Sequence, residues 1–180
     1  MMIGKVMRYL FLLSFMYAGG AEAHTVILHG GQVHMTGSVI GGACAVSTDS
    51  ENKNVLMGQV SNNQFKGLGS WADPVSFELR LVNCDISLSQ YVGMIFTGVS
   101  DGKDPLVFRA GEGSAAAKGV GIGLFDSSGE LIIPNTKARH LTLLNNGTVS
   151  VPLTAKYRAT SRIVSAGDAS AVVYFSLYYP

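Results

Sequence analysis

The sequence predicts an all-β protein, an antiparallel β-sandwich, and three observations carry this prediction. Apolar residues recur with a period of two along most of the chain, whereas the period of 3.6 that marks an amphipathic helix is nearly absent. Turn sequences rich in Gly, Asn and Asp separate the apolar runs at short intervals. Charged residues make up 14% of the chain, well below the roughly 25% of an ordinary soluble domain, which argues against a disordered chain or a polyelectrolyte.

The predicted strands follow one another without a linker or a domain boundary. Asn146-Gly147, placed between two apolar runs, predicts a tight hairpin. A helical turn is expected only within residues 62–70 and 115–118. The segments with the alternation of strands are residues 38–46, 55–60, 75–82, 91–99, 106–108, 120–125, 131–133, 141–144, 148–159 and 171–179.

The first 23 residues have the features of a cleaved export signal. Lys5 and Arg8 precede an apolar stretch over residues 9–17, and Ala21-Glu22-Ala23 is an A-x-A-type cleavage site. The alternative, a membrane anchor, would need roughly 20 apolar residues, more than this stretch contains. We therefore expect a mature chain that starts at His24, is exported from the cytoplasm and is not inserted in a membrane.

Export determines how the two cysteines are interpreted. Cys44 and Cys84 are the only cysteines in the chain, and in an oxidising compartment a lone pair most simply forms one disulfide. Neither C-x-x-C nor H-x-x-x-H occurs, so a zinc site or a redox centre is not expected. Closing a loop of this size stabilises a fold by about 4 kcal/mol in the chain-entropy model.

Motifs that would indicate chemistry have simpler explanations in this chain. Residues 98–102 fit the G-x-S-x-G pattern around Ser100, but a turn and a strand follow instead of a helix, so a surface hairpin is expected. The histidines His24, His29 and His34 cannot converge on a metal in an extended segment, because His29 lies on the opposite face. With a pI near 7.8 and no basic run, nucleic acid is a poor candidate partner, and no cofactor is expected.

The two ends of the mature chain show the clearest patterns. In the last predicted strand every odd position is apolar, which marks one continuous inward face ending just before the C-terminus: Ala171, Val173, Phe175, Leu177 and Tyr179. Near the N-terminus, Ile27, Gly31, Val33 and Met35 share one face of an extended segment, although three consecutive apolar residues leave the register before Gly31 open. An apolar segment outside its own domain is expected to seek a sheet edge elsewhere.

These stretches resemble the pilin subunits of chaperone–usher fimbriae, most closely the type 1 pilin-like proteins. The resemblance spans essentially the whole mature chain in the family's order. It is carried by residues 30–34, 37–40, 43–46, 57–60, 77–85, 144–148 and 175–180.

The resemblance implies an incomplete immunoglobulin-like β-sandwich whose seventh strand is supplied by a partner. Residues 1–23 would be the signal peptide, 24–36 an N-terminal donor-strand extension and 37–180 the pilin domain. The implied partners are a periplasmic chaperone, an outer-membrane usher and neighbouring fimbrial subunits. One edge of the hydrophobic groove, which also binds the chaperone, would run over residues 171–179, with Gly167 and Tyr179 matching the glycine and the penultimate tyrosine of the family's C-terminal motif.

The implied function is that of a structural subunit, not an enzyme, which polymerises by donor-strand exchange into a surface fimbria that takes part in cell adhesion. Alternatives are a minor subunit, either an adaptor or a base terminator, and less favoured a secreted β-sandwich enzyme or lectin. Met35 stands where an aromatic residue is expected, so rod and minor subunit both stay open.

Overall fold

A computed structural model describes Gln32 and residues 41–180 of the chain. The signal peptide, the donor-strand residues Ile27, Gly31, Val33 and Met35, and the three N-terminal histidines lie outside the described residues. The strands are β1 (Ala45–Val46), β2 (Val75–Cys84), β3 (Tyr91–Thr97), β4 (Phe108–Arg109), β5 (Val120–Phe125), β6 (Leu131–Ile132), β7 (Thr142–Leu143), β8 (Gly147–Ala159) and β9 (Tyr174–Tyr178); the helices are α1 (Thr48–Glu51) and a 3-10 turn (Asn62–Gln64).

The strands form two sheets, and every strand pair in the described part of the chain is antiparallel. Sheet I has the order β1-β2-β8-β5-β4, with β6 also paired to β5. Sheet II has the order β7-β3-β9. The predicted all-β antiparallel fold is confirmed. No helix among the described residues has the length and hydrophobicity that crossing a bilayer requires.

Period-two burial along the long strands builds the core. In β8 the odd positions Val149, Val151 and Leu153 are buried while their neighbours Thr148 and Ser150 are exposed. Alternation of this kind packs one face of a strand inward and leaves the other in water. The inward faces of β2, β3, β5 and β8 all contribute to one hydrophobic cluster.

Several predicted elements differ from the observed ones. Residues 55–60 form no strand, and the last strand covers Tyr174–Tyr178, so residues 171–173 precede it as irregular backbone. Of the first predicted strand only Ala45–Val46 is observed among the described residues. Helix α1 was not predicted; Ser50 is buried in it and its Oγ accepts a hydrogen bond of 2.8 Å from the N–H of Arg80 on β2.

The predicted hairpin at Asn146-Gly147 is wrong. Strand β7 pairs with β3 in sheet II, whereas β8 pairs with β2 and β5 in sheet I, so the turn crosses between the sheets. Gly147 still needs a positive φ of 94°, and the Oδ1 of Asn146 accepts a hydrogen bond of 3.0 Å from the N–H of Ile86. The local turn chemistry was predicted correctly, but the partner of each strand is decided by long-range packing.

The predicted disulfide between Cys44 and Cys84 is present. A bulge in β2 between Leu81 and Cys84 contains Asn83, which adopts a φ of 53°. Asparagine tolerates this left-handed conformation better than most residues, so the strand can shift register there. The disulfide joins the residue that precedes β1 to the end of β2.

Candidate functional site

A large open groove of about 1430 Å³ lies along the sandwich and is the candidate functional site. Apolar side chains from both sheets line it: Phe77 and Leu79 on β2, Phe96 on β3, Ile122 and Leu124 on β5, and Tyr157 on β8. These residues are inward-facing positions of the alternating pattern. A groove with this lining suits a ligand that places apolar groups on the groove floor and forms its hydrogen bonds at the groove rims.

The C-terminal segment forms one rim of the groove. Strand β9 pairs with β3 from Gly93↔Tyr178 to Thr97↔Tyr174 and is the edge strand of sheet II among the described residues. Residues 171–173, just before β9, form no backbone hydrogen bond within the described chain. An edge with unpaired backbone groups is a template on which a further strand can add.

The structure brings together four of the predicted groove residues and separates two. Gly167, Ala171, Val173 and Phe175 line the groove, and the ring of Phe175 lies 6.2 Å from that of Phe96. Leu177 and Tyr179 pack on the core further along the same face of the chain. The predicted inward parity of the last strand therefore agrees with the partial burial from Val173 onward, whereas Ala171 is exposed.

A second rim is formed by residues 52–60, which also line the groove and were not predicted as part of a site. Met57 and Val60 pack against the core, while Leu56 is 81% exposed. Residues 55–60 also form no backbone hydrogen bond to another described segment. The apolar alternation that predicted a strand here fits a segment that lies extended beside the groove without a ladder partner.

Gly167 sits where a side chain has no room. A Cβ atom on this residue would lie 2.4 Å from the backbone nitrogen of Ala117 and 2.6 Å from the carbonyl oxygen of Ala115. The neighbouring N–H of Asp168 donates to that same carbonyl, at 2.8 Å. Glycine at this position allows the loop before the rim to pack directly on the 115–117 backbone.

Tyr179 ties the end of the C-terminal segment to the disulfide. Its hydroxyl accepts a hydrogen bond of 3.0 Å from the N–H of Cys44 and donates one of 3.1 Å to the Cys44 carbonyl. Gly42 allows the ring to approach, since a Cβ there would lie 3.0 Å from Tyr179 Cε2. One side chain thus connects a residue of sheet II's edge region to the start of sheet I.

The groove floor stays uncharged at neutral pH. Tyr157 lies in it, and burial, followed by the nearby charge of Asp168, raises the pKa of its phenol. The hydroxyl donates to the carbonyl of Ala169 at 3.3 Å. A neutral phenol held by the rim fits an apolar binding surface and supplies no general base.

The G-x-S-x-G sequence forms a surface hairpin, as expected. Ser100 and Phe108 form an isolated antiparallel β-bridge, and the N–H of Asp101 donates a hydrogen bond of 2.9 Å to the carbonyl of Val107. The hydroxyl of Ser100 accepts a hydrogen bond of 3.3 Å from the Nδ2 of Asn135. A nucleophilic serine needs a neighbouring base, and an asparagine amide cannot act as one.

A charged cluster at the β5–β6 turn was missed by the sequence reasoning. His140 Nδ1 lies 2.9 Å from Asp126 Oδ2 and 3.2 Å from Glu130 Oε2, and Arg139 pairs with Glu130 at 3.0 Å. The hydrogen bond to Asp126 raises the pKa of His140. No sequence pattern predicts this cluster, because it forms only when residues 137–141 fold back against the β5–β6 turn.

The geometry defines a β-sandwich subunit with an open apolar groove between two unpaired edges. The family model described as "Fimbrial protein" matches residues 33–180. The chain is 42% identical to a fimbrin-like protein, FimI, of Salmonella typhi over 161 residues, which cover 88% of this chain and 90% of that protein. It is 34% identical to the long polar fimbria protein A of Salmonella typhimurium over 172 residues, 96% of each chain.

The fold is shared with solved pilus subunits. A chaperone–usher pilus structure, solved in a study of rod uncoiling, matches with a TM-score of 0.68 and 24% identity over 88% of this chain and all of that one. This chain belongs to the fimbrial protein family. It is a structural subunit that is exported through the periplasm and assembled with neighbouring subunits into surface fimbriae.

Proposed function

We propose that the groove binds an extended strand from a partner. This strand takes the place of the seventh strand of an immunoglobulin-like sandwich, which the chain itself would lack. The observation that carries this proposal is the pair of rims, residues 55–60 and 171–173, whose backbone groups have no ladder partner within the described chain. A strand laid between them would gain main-chain hydrogen bonds along its length. Alternate side chains would enter the apolar floor, where pocket shape selects the partner and its register.

The strand supplied by this chain would be its N-terminal extension, residues 24–36, after removal of the signal peptide 1–23. Ile27, Gly31, Val33 and Met35 would face the neighbour's groove. Before assembly a periplasmic chaperone would fill the groove of this chain, pairing along the rim at Ala171, Val173 and Phe175, and the usher would direct the exchange. The finished fimbria would take part in cell adhesion, and the chain itself carries out no catalysis.

The test uses the chaperone-bound subunit and a synthetic peptide of residues 24–36. The wild-type peptide is expected to displace the chaperone, followed on a native gel over time. A Gly31→Leu peptide should do so at least ten-fold more slowly, because it places a bulky group where the donor face has none.

The matched control is a Gln32→Leu peptide, which adds the same side chain one position later, on the opposite face of the strand. It should displace the chaperone as fast as the wild-type peptide. Equal rates for the Gly31→Leu and wild-type peptides would contradict the donor role. Displacement from a different fimbrial subunit but not from this one would support the donor role and indicate a minor subunit with a restricted neighbour.

A further inference from the structure

A group of side chains outside the groove combines an imidazole with two carboxylates. Asp126 directly follows β5, Glu130 directly precedes β6, and His140 lies two residues before β7. One ligand atom from each residue lies within 4.8 Å of the other two, and none of the three residues lines the groove. His140 is the only histidine in residues 41–180, so within the described part of the chain an imidazole meets carboxylates only here.

Each carboxylate has one oxygen held by other groups and a second oxygen beside the imidazole. Oδ1 of Asp126 accepts hydrogen bonds of 2.9 Å from the N–H groups of Ser128 and Glu130, which leaves Oδ2 to contact His140 Nδ1. Oε1 of Glu130 accepts a hydrogen bond of 3.0 Å from Arg139, which leaves Oε2 to face the same nitrogen. Partners behind the ligand atoms fix their direction in this way around metal ions in proteins.

The spacing of these atoms is close to the spacing of ligands around a tetrahedral zinc ion. His140 Nδ1 lies 2.9 Å from Asp126 Oδ2 and 3.2 Å from Glu130 Oε2. Zinc–nitrogen and zinc–oxygen bonds of about 2.0–2.2 Å at tetrahedral angles place neighbouring ligands about 3.3–3.6 Å apart. A small outward movement of the three side chains therefore makes room for the ion.

A small cavity at the two carboxylate residues provides space for a further ligand. Its volume is about 30 Å³, and Asp126, Glu130 and Arg139 are among the residues that line it. A water molecule needs at least about 10–15 Å³ of such space, so the cavity can hold one. Zinc ions with three protein ligands take a water molecule in the fourth position. The cavity is an observation independent of the ligand spacing, and it fits the same ion.

The donor atoms determine which class of ion fits. Calcium and magnesium take oxygen ligands, whereas an imidazole nitrogen suits zinc and other divalent first-row transition ions. Two ionised carboxylates and a neutral imidazole exactly balance the charge of Zn²⁺, while Arg139 pairs with the other oxygen of Glu130. The ammonium group of Lys137 lies over the ring of Tyr178, 4.8 Å from its centroid, and is engaged there.

The three ligands come from segments attached to different sheets. Asp126 and Glu130 flank the turn between β5 and β6, which both belong to sheet I. The segment that carries His140 is attached to sheet II, because the N–H of Ala138 donates a hydrogen bond of 2.9 Å to the carbonyl of Met94 on β3. An ion held by all three side chains therefore cross-links the two sheets and stabilises the folded subunit by mass action.

We propose that Asp126, Glu130 and His140 form a zinc site, with Oδ2, Oε2 and Nδ1 as its protein ligands and water as the fourth ligand. Zinc takes the place of the proton on Nδ1, so binding to the protonated imidazole releases one proton to solvent for each ion bound. The site shares no residue with the groove, and the proposal does not depend on strand exchange.

The test measures zinc binding to the full mature chain in its chaperone-bound form, purified through a histidine-free tag on the chaperone. The complex is stripped with a chelator and titrated with zinc chloride by equilibrium dialysis, and the chaperone alone gives the background. The wild-type subunit should bind one zinc ion that His140→Gln, Asp126→Asn and Glu130→Gln each weaken at least about ten-fold. Cobalt(II) should give visible absorption bands with the wild-type subunit and not with His140→Gln, which reports ligation by the imidazole.

Two matched controls remove the same chemical groups elsewhere. His34→Gln removes a histidine of the N-terminal extension, and Glu112→Gln removes an exposed carboxylate, and both should bind zinc like the wild-type subunit. Zinc binding no stronger than the background, equal binding by wild type and the three site variants, or calcium binding as tight as zinc binding would each overturn the proposal. The first and last of these outcomes need only the wild-type protein, so a variant that fails to fold does not protect the proposal. A subunit that binds zinc as expected but whose chaperone the donor peptide never displaces would contradict the strand exchange alone.

Discussion

At the scale of single residues, three positions have conspicuous structural roles, and each depends on the particular residue type found there. Tyr179 reaches both backbone groups of Cys44, Asn83 supplies the left-handed turn of the bulge before Cys84, and Gly167 allows two backbones to touch. Each acts through one property that few other residues share. Tyr179 and Gly167 hold the two ends of the C-terminal segment in place, and Asn83 shifts the register of β2 just before the disulfide.

Tyr179→Phe is expected to destabilise the subunit by about 1–3 kcal/mol, because it leaves the N–H and carbonyl of Cys44 without their partner in a part-buried site. Urea unfolding of the oxidised chain, followed by the fluorescence of Trp71, measures the difference. Tyr91→Phe is the control, since the hydroxyl of the exposed Tyr91 forms no hydrogen bond within the described chain, and it should change the unfolding free energy by less than about 0.5 kcal/mol. A similar effect of both variants would argue against a stabilising role of the hydrogen bonds between Tyr179 and Cys44.

At the scale of elements, strand β9 has two different faces with separate tasks. Its inward residues Phe175 and Leu177 pack on the core, whereas Tyr174 and Tyr178 lie on its outward side. Its free edge leads into the groove rim. One short strand therefore contributes both to stability and to the proposed strand exchange, and substitutions on its two faces should have different consequences.

Phe175→Asp and Leu177→Asp should reduce recovery of the chaperone complex at least ten-fold, because each buries an unpaired charge against the core or the groove. Ser176→Asp adds the same charge on the exposed face and should be recovered at close to the wild-type level. A pull-down on the tagged chaperone, with the bound subunit quantified, gives the three values. Equal recovery of all three variants would refute the assignment of β9 as the groove-side strand.

At the scale of the whole molecule, the two sheets are connected by polar contacts as well as by the core. The Tyr179–Cys44 contact joins them at one place, and the cluster of Asp126, Glu130 and His140 joins the β5–β6 turn to the segment before β7 at another. The cluster is exposed to solvent, with 56% of the His140 side chain accessible, so its contribution depends on pH and ionic strength.

The stability contributed by His140 is expected to fall as pH rises. Its hydrogen bond with Asp126 raises its pKa above the ordinary 6.5, so the stabilisation is fully present below about pH 6.5 and is lost as pH rises through the folded-state value. Burial of Asp126 opposes its ionisation, but hydrogen bonds from Ser128 and His140 lower its pKa overall, so the pair also weakens when Asp126 becomes protonated in acid.

His140→Gln should therefore destabilise the chain more at pH 6 than at pH 9, as measured by urea unfolding at the two pH values. The control is Arg139→Gln, which removes the guanidinium that pairs with Glu130 but leaves the imidazole. Its effect should change little between pH 6 and pH 9, because arginine stays protonated throughout. An effect of His140→Gln that is the same at both pH values would contradict a stabilising interaction between protonated His140 and Asp126.

The amino-acid sequence alone determined the local features of this protein. The bounds predicted for β2, β5 and β8 are confirmed nearly to the residue. In β2 and β8 one face is buried and the apolar residues repeat every two positions, whereas β5 is buried on both faces. The disulfide was also predictable, since Cys44 and Cys84 had no other partner. The inward parity of the last strand followed from the same rule. The resemblance to fimbrial subunits came instead from the matched sequence stretches between residues 30 and 180.

Only the tertiary structure decided which segments pair and which remain without a partner. Residues 55–60 have the composition of a strand but form no ladder, and the Asn146-Gly147 turn crosses between sheets instead of closing a hairpin. Both outcomes depend on contacts far apart in sequence, which local patterns do not encode. The groove and the His140 cluster arise in the same way, because each is assembled from residues that only the packing of the two sheets brings together.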